Sequence, residues 1–199
     1  MRVFLDRFEQ LFLIVAGGYL FYRLLPDDFA FAYLNTYLLL FSEGVALLFV
    51  LLRKSTRDIS PSFFDWFVAI IGSAGPLFVG PIGVPIAYEL ALVLLSTGIL
   101  VHIGAKLSLN FSFGIVAANR GVKSNGLYAI VRHPMYVGYM VTHMGFLLAG
   151  PTLRNVCIYG VVWIAFILRI LAEEKVLMKD PAYQALAEKT RWRLIPFLF

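Results

Sequence analysis

The sequence predicts an all-α fold: a polytopic transmembrane helix bundle of about six spans, or five if one short span is re-entrant. Three observations predict it. The chain is 60% hydrophobic and 15% charged, with a mean hydropathy of +0.82, whereas soluble domains lie nearer half apolar and a quarter charged. Its apolar residues gather into runs near 8–25, 30–52, 63–80, 85–106, 134–150 and 155–172, at or slightly under the ~20 residues a helix needs to cross hydrocarbon. Basic residues collect in alternate connections, the asymmetry expected when positive loops stay in the cytoplasm.

Each span has its own signature. Arg2 and Arg7 precede the first run, and bulky Tyr19, Phe21 and Tyr22 stand where a cleavable signal would carry small residues. That run therefore reads as a retained anchor. The second and fourth runs are comfortably long. The third holds Gly72, Gly75 and Pro76, which predict a kink. Pro81, Gly83 and Pro85 form a tight, uncharged turn, so runs three and four read as a helical hairpin. Runs five and six read as a second hairpin, turning at Gly150-Pro151. With the N-terminus placed in the cytoplasm, every one of the 17 Lys and Arg except Arg23 and Arg154 lies on the inner side. Both termini are then cytoplasmic. The chain divides at residue 106. Residues 1–106 hold four spans; residues 107–199 hold a long ordered loop, the last hairpin and an amphipathic end that suits the membrane interface.

Composition also excludes. The net charge of +5 is explained by loop charges and gives no reason to expect nucleic acid. A single cysteine, Cys157, rules out an intrachain disulfide and a cysteine metal cluster, and three scattered histidines make no metal site. No glycine-rich phosphate loop is present, so a nucleotide-like cofactor would need another kind of site.

The chemistry concentrates in a polar island of two parts. The first runs from Gly126 through Tyr128 and Arg132-His133-Pro134-Met135-Tyr136 to Gly138; the second is Arg169 to Glu173-Glu174. Both parts flank apolar spans, where ionisable groups are costly and mark function by default. Pro134 suits a first helical turn, whose free N–H groups favour a carboxylate or phosphate. His133 and Tyr136 share a helix face, as do Arg169 and Glu173, while Glu174 is rotated about 100° away. The hairpin brings the start of one span to the end of the other, so His133, Tyr136, Arg169 and Glu173 should converge. Two deeper groups, Glu43 and His143, sit ~15 Å above the inner surface and can either pair with each other or line a substrate cavity. His102 reads as a local hydrogen-bonding residue and Glu89 as facing water.

The motifs Gly126-x-Tyr128, Arg132-His133-Pro134-x-Tyr136-x-Gly138, Arg169-x-x-x-Glu173-Glu174 and Arg193-Leu194-Ile195-Pro196 resemble those of the isoprenylcysteine carboxyl methyltransferase family and its phospholipid methyltransferase relatives. The resemblance covers about residues 105–199 and makes 107–199 the catalytic half. It implies a small helical membrane enzyme that uses S-adenosylmethionine at the cytosolic face. Carried over, the cofactor would meet Arg120, Gly121, Val122 and Lys123, then Tyr128, then His133, Pro134, Met135 and Tyr136, and finally Glu173 and Glu174. Where the family has His or apolar residues this chain has Arg120 and Lys123, so contacts there would run through the backbone. Arg169 would face the acceptor, with Glu173 and His133 completing the catalytic set.

The chemistry of these groups suits those roles. Glu173 can bind an ammonium or ribose hydroxyls, His133 and the helix N-terminus a carboxylate, and Tyr128 and Tyr136 an adenine or a sulfonium. Methyl transfer mainly requires orientation. A carboxylate acceptor needs only a positive partner such as Arg169, whereas an amine acceptor needs a base, for which Glu174 or His133 would serve. The expected partners are membrane lipids and a lipid-like or prenylated substrate. Three alternatives stand beside carboxyl methylation: a phospholipid N-methyltransferase, an NADPH-dependent sterol-type reductase using Arg120 and Lys123 for a 2′-phosphate, and a non-catalytic membrane protein built around Glu43 and His143.

Overall fold

The computed structural model describes residues 1–26, 34–53, 55–80 and 83–199. Residues 30–33 of the second predicted span, together with Lys54 and Pro81, lie outside the described residues. The chain forms α1 (Arg2–Leu24), α2 (Leu34–Leu52), α3 (Phe63–Ala74), α4 (Tyr88–Leu109), α5 (Pro134–Ala149), α6 (Leu153–Leu177) and α7 (Pro181–Lys189). A helix stands at every predicted span, so the all-α bundle is the observed architecture. Asn35–Leu52, Tyr88–Ser112 and Leu153–Leu177 are each long and apolar enough to cross a membrane. The predicted kink in the third span is a change of helix type: α3 tightens into a 3-10 turn at Gly75–Phe78, where Pro76 brings no N–H to an α-helical ladder. Local caps fix other starts. The Ser62 hydroxyl accepts the Asp65 N–H, Thr152 that of Asn155, and Asp180 that of Ala182.

Helix ends sort onto two ends of the bundle. At one, the Ser60 N–H donates to the Ala117 carbonyl (2.8 Å), Arg53 at the end of α2 meets Asp6 and Glu9 of α1, and His133 at the start of α5 meets the end of α6. At the other, the Gly80 N–H donates to Asn155 Oδ1 (3.0 Å) and the Gly83 N–H to the Gly150 carbonyl (3.3 Å).

The predicted hairpin of spans three and four is not a packed pair. Instead α3 packs on α6, while α4 lies along α5 in the most extensive contact of the bundle. The reason is a stripe of small residues. Ala91 and Gly98 on α4 face Gly138, Thr142 and Gly145 on α5. A Cβ on Gly138 would stand 2.6 Å from the His102 backbone nitrogen, and one on Gly145 2.8 Å from that of Leu95. In lipid, where apolar burial gives little, such close backbone approach is a main source of helix association. Gly138 and Gly145 are two turns apart, a repeat that a search for four-residue glycine spacing passes over.

The deep charges depart from expectation. Glu43 and His143 do not pair. Glu43 takes Lys106 (2.9 Å), which also donates to Ser42 Oγ (2.8 Å) and is fully buried. His143 accepts the Trp163 indole N–H (3.2 Å) and stacks on Tyr159 with ring centroids 4.3 Å apart. A permanent cation is the better partner for a carboxylate withdrawn from water, and α2 lies against α4. His102 finds its partner on α2, Ser42 Oγ at 3.0 Å, rather than locally. Glu89 is exposed, as expected. Arg53, Lys106, Arg132 and Arg169, counted as loop charges from the sequence, are buried in ion pairs.

Two glycine substitutions test the packing. Gly138→Ala should lower the melting temperature of the detergent-solubilised protein, with a cost of about 1–3 kcal/mol from overpacking. Gly160→Ala, whose Cβ would meet nothing within 4 Å, should leave melting unchanged or raise it by up to ~1 kcal/mol. Equal melting of Gly138→Ala and wild type would contradict the close approach of α4 and α5.

Candidate active site

The polar island is shaped by backbone before side chains enter. Arg132 and His133 donate their N–H groups to the carbonyls of Trp192 and Arg193, both at 2.9 Å. This short pairing presses the end of the chain against the start of α5. Leu194 then inserts among Tyr136, Val162, Phe166 and Ile170, while Phe197 and Leu198 remain exposed, as an interfacial segment requires. Pro134 opens α5 at its first position, and no side chain caps that terminus.

Glu174 is the more heavily engaged of the two neighbouring glutamates. Its Oε2 accepts from Arg193 Nε (2.7 Å), and its Oε1 lies 3.1 Å from Arg132 Nε and 3.3 Å from His133 Nε2. The Tyr183 hydroxyl adds a fourth contact, donating to Oε1 at 3.2 Å. Tyr183 reaches it because Asp180 and Pro181 start α7 immediately after α6 and turn the chain back. The Asp180 carboxyl is held below its usual range by Asn119 and then by the Ala182 N–H.

Glu173 forms a second centre. Its Oε1 accepts from the Tyr136 hydroxyl and lies 3.9 Å from Arg169, while its Oε2 lies 3.5 Å from His133 Nδ1. His133 thus stands between two carboxylates, one on each ring nitrogen. Burial pushes the imidazole down, but its bonds to Glu173 and Glu174 outweigh that and raise its pKa above the ordinary value. Only the doubly protonated ring can donate to both carboxylates at once. Burial, then the charge of Glu173, pushes the Tyr128 phenol up, and burial with Glu174 does the same to Tyr183. Both stay neutral.

Arg169 is clamped from three sides. It donates to Ser73 Oγ of α3 (3.1 Å) and to the Ile115 carbonyl (2.9 Å), and its guanidinium carbon lies 5.3 Å from the Tyr136 ring centroid. Its Nε is buried with no partner among the described residues.

The structure therefore brings together His133, Tyr136, Arg169, Glu173 and Glu174, with Tyr128 within electrostatic reach of Glu173. Pro134 lies at the start of α5, and Met135 turns to the cluster of Ala46, Val50 and Phe113. Arg120 is drawn elsewhere: it pairs with Asp6 (2.8 Å) and Glu9 of α1. Gly121 adopts φ +97° and gives its N–H to Asn119 Oδ1. No hydrogen bond or ion pair joins Gly121, Val122 or Lys123 to the cluster among the described residues. Sequence reasoning named Arg132 and Arg193 in its motifs without giving them a role at the site, and it left Ser73 and Tyr183 out. Of these two, Tyr183 carried a signal, the Asp180-Pro181 helix start just before it.

Glu174→Gln should destabilise the protein by about 3 kcal/mol, because Arg132, His133 and Arg193 lose one shared counter-charge in a mostly buried site. Glu173→Gln should cost less, since Arg169 keeps Ser73 and Ile115. Thermal melting in detergent reads both, and a larger loss for Glu173→Gln would contradict the assignment of Glu174 as the hub.

A family model described as phospholipid methyltransferase matches residues 85–184, from the turn before α4 into α7. It takes in every member of the cluster except Ser73 and Arg193, and it extends the resemblance read from the motifs upstream by one helix. Comparison with curated protein sequences gives no match. With half of its length matched and the polar island inside that half, the chain belongs to the phospholipid methyltransferase family.

Proposed function

We propose that the protein is an S-adenosylmethionine-dependent membrane methyltransferase that modifies a polar group carried by a lipid or a prenylated molecule, with a carboxylate as the acceptor. One observation carries this reading: among the described residues, three arginines, Arg132, Arg169 and Arg193, together with His133, share two carboxylates, Glu173 and Glu174. A largely buried excess of positive charge calls for an anion. Arg169 Nε, buried without a partner, marks one place for it.

The donor set fits the cofactor. Glu173 would hold its ammonium, the uncapped start of α5 beside His133 its carboxylate, and Tyr128 its adenine. Bound there, S-adenosylmethionine supplies an electrophilic methyl group. The chain's own task is to orient and to exclude water. Arg169 would hold the acceptor oxygen, and no proton need leave it. His133 faces a carboxylate at each ring nitrogen and is badly placed to act as a base, which weighs against an amine acceptor. A groove of ≈ 180 Å³ runs beside the site between α4, α5 and the final segment, lined by Val101, Ile130, Pro134, Val137, Leu194 and Pro196. It would take the acceptor's hydrocarbon. The reductase reading loses support because Arg120 is committed to Asp6 and Glu9.

The second reading, amine methylation of a phospholipid, is favoured by the family match and would need a base, Glu174 or His133. Radiolabelled methyl transfer to N-acetyl-S-farnesylcysteine, compared with phosphatidylethanolamine vesicles, separates the two; transfer to the vesicles alone would replace the carboxylate reading with the amine one. Calorimetry tests the cofactor. S-adenosylmethionine should bind the wild-type protein, and Glu173→Ala and His133→Ala should abolish binding. Absence of binding to wild type would sink the methyltransferase proposal.

The pH dependence follows from His133. Its pKa is raised on folding, so the charged form is complete below about 6.5 and its contribution to stability and to anion binding is lost as pH rises through the higher folded value. Cofactor affinity should therefore fall as pH rises above about 6.5 through the raised folded value. Any affinity retained by His133→Gln should lack that step.

A further inference from the structure

Helix α1 lies outside the family match, yet one of its side chains reaches the site through a single peptide plane. Glu9 is fully buried. Its Oε2 faces Arg53 NH2 (2.9 Å) and Arg120 NH2. Its Oε1 accepts the N–H groups of Ile115 (2.6 Å) and Val116 (2.8 Å). The Val116 N–H and the Ile115 carbonyl are the two ends of one planar peptide. That carbonyl accepts from Arg169 NH2 at 2.9 Å. An anion at the N–H end polarises the peptide and strengthens its carbonyl as an acceptor. The peptide itself cannot drift, because Ile115 and Val116 are buried with Ile59 and Ala69.

We propose that Glu9 is a positioning residue for Arg169, acting through the Ile115–Val116 peptide. The proposal rests on the reading above that Arg169 faces the acceptor. Asp6 provides an internal comparison. It contacts the same Arg53 (3.3 Å) and Arg120 (2.8 Å), and its other oxygen takes the Thr56 N–H, but it touches neither Ile115 nor Val116. A carboxylate with both oxygens accepting cannot be replaced by an amide without placing an NH₂ against donors. Glu9→Gln therefore removes the charge at the N–H end of the peptide as well as from the ion cluster, whereas Asp6→Asn removes it from the cluster and the Thr56 N–H and leaves the Ile115 and Val116 N–H groups with Glu9.

The experiment uses the full chain in detergent, with Glu9→Gln, Asp6→Asn, Arg169→Lys and the Glu9→Gln/Arg169→Lys double variant. Glu9→Asp, which keeps the charge but draws it back, replaces Glu9→Gln if the latter does not fold. Melting, S-adenosylmethionine affinity, and acceptor KM and kcat with farnesylcysteine and phosphatidylethanolamine probes are measured for each. Both acidic variants should lower melting. Only the Glu9 variant should raise acceptor KM or lower kcat by about tenfold or more, at unchanged cofactor affinity. It should add less than about twofold on top of Arg169→Lys, the non-additivity of residues acting as a unit. Equal kinetics for Glu9 and Asp6 variants, or full additivity with Arg169→Lys, would overturn the proposal. If wild type methylates neither probe, the methyltransferase reading fails by itself. The positioning proposal is then read from the Arg169 Nε–H resonance in ¹⁵N-arginine-labelled protein, assigned by its loss in Arg169→Lys. A shift in the Glu9 variant and not in Asp6→Asn supports it, and the same spectrum in both refutes it.

Discussion

The pairing of buried charge is the constraint on which the rest of this bundle depends. Among the described residues, every buried charged side chain faces an opposite charge. Asp6 and Glu9 face Arg53 and Arg120; Lys106 faces Glu43; Arg132, His133 and Arg169 face Glu173 and Glu174. Ionised groups withdrawn from water persist only when so matched. Apart from Arg169 and Glu173, four apart on α6, these pairs join segments distant in sequence, so they hold the bundle's tertiary arrangement as well as giving each buried charge a counter-charge. The first ties α1 to the end of α2 and to the loop before α5. The second ties α2 to α4. The third ties α5, α6 and the chain's final turn.

Apolar packing works around these ties. The small-residue stripe lets α4 and α5 approach until backbone meets backbone, which sets the height at which His133 emerges. Phe166 and Ile170 wedge between α5 and α6 under the site, and Tyr136 lies on Phe166 with ring centroids 5.1 Å apart. Rings and guanidinium are thereby held on both sides by the fold itself. Such preorganisation suits methyl transfer, where orientation supplies most of what a protein can add.

The neighbouring glutamates divide the labour. Glu174 gathers Arg132, His133 and Arg193 and reads as structural support. Glu173, with Tyr136 and Arg169, keeps the looser geometry: its contacts to His133 and Arg169 are 3.5 and 3.9 Å. A carboxylate that is not saturated can still accept a ligand's donors. His133 bridges the two, so the charge state of one ring connects the Glu174 centre to the Glu173 centre.

The sequence by itself determined the helices, because apolar runs, Gly-Pro turns and caps are local signals whose physics needs no partner. It also determined the convergence of His133, Tyr136, Arg169 and Glu173, since three- and four-residue spacings and one hairpin suffice to bring them together. Tertiary structure decided which charges meet. Glu43 chose Lys106 over His143, and Arg120 turned to α1, because pairing depends on which helix faces lie together, and α2 against α4 or α1 against the loop is not written in any local pattern. It decided the packing partners of α3 and α4 for the same reason, through a glycine stripe that only has meaning once two helices touch. And it placed Glu9, over a hundred positions from Ile115 in sequence, one peptide away from the site.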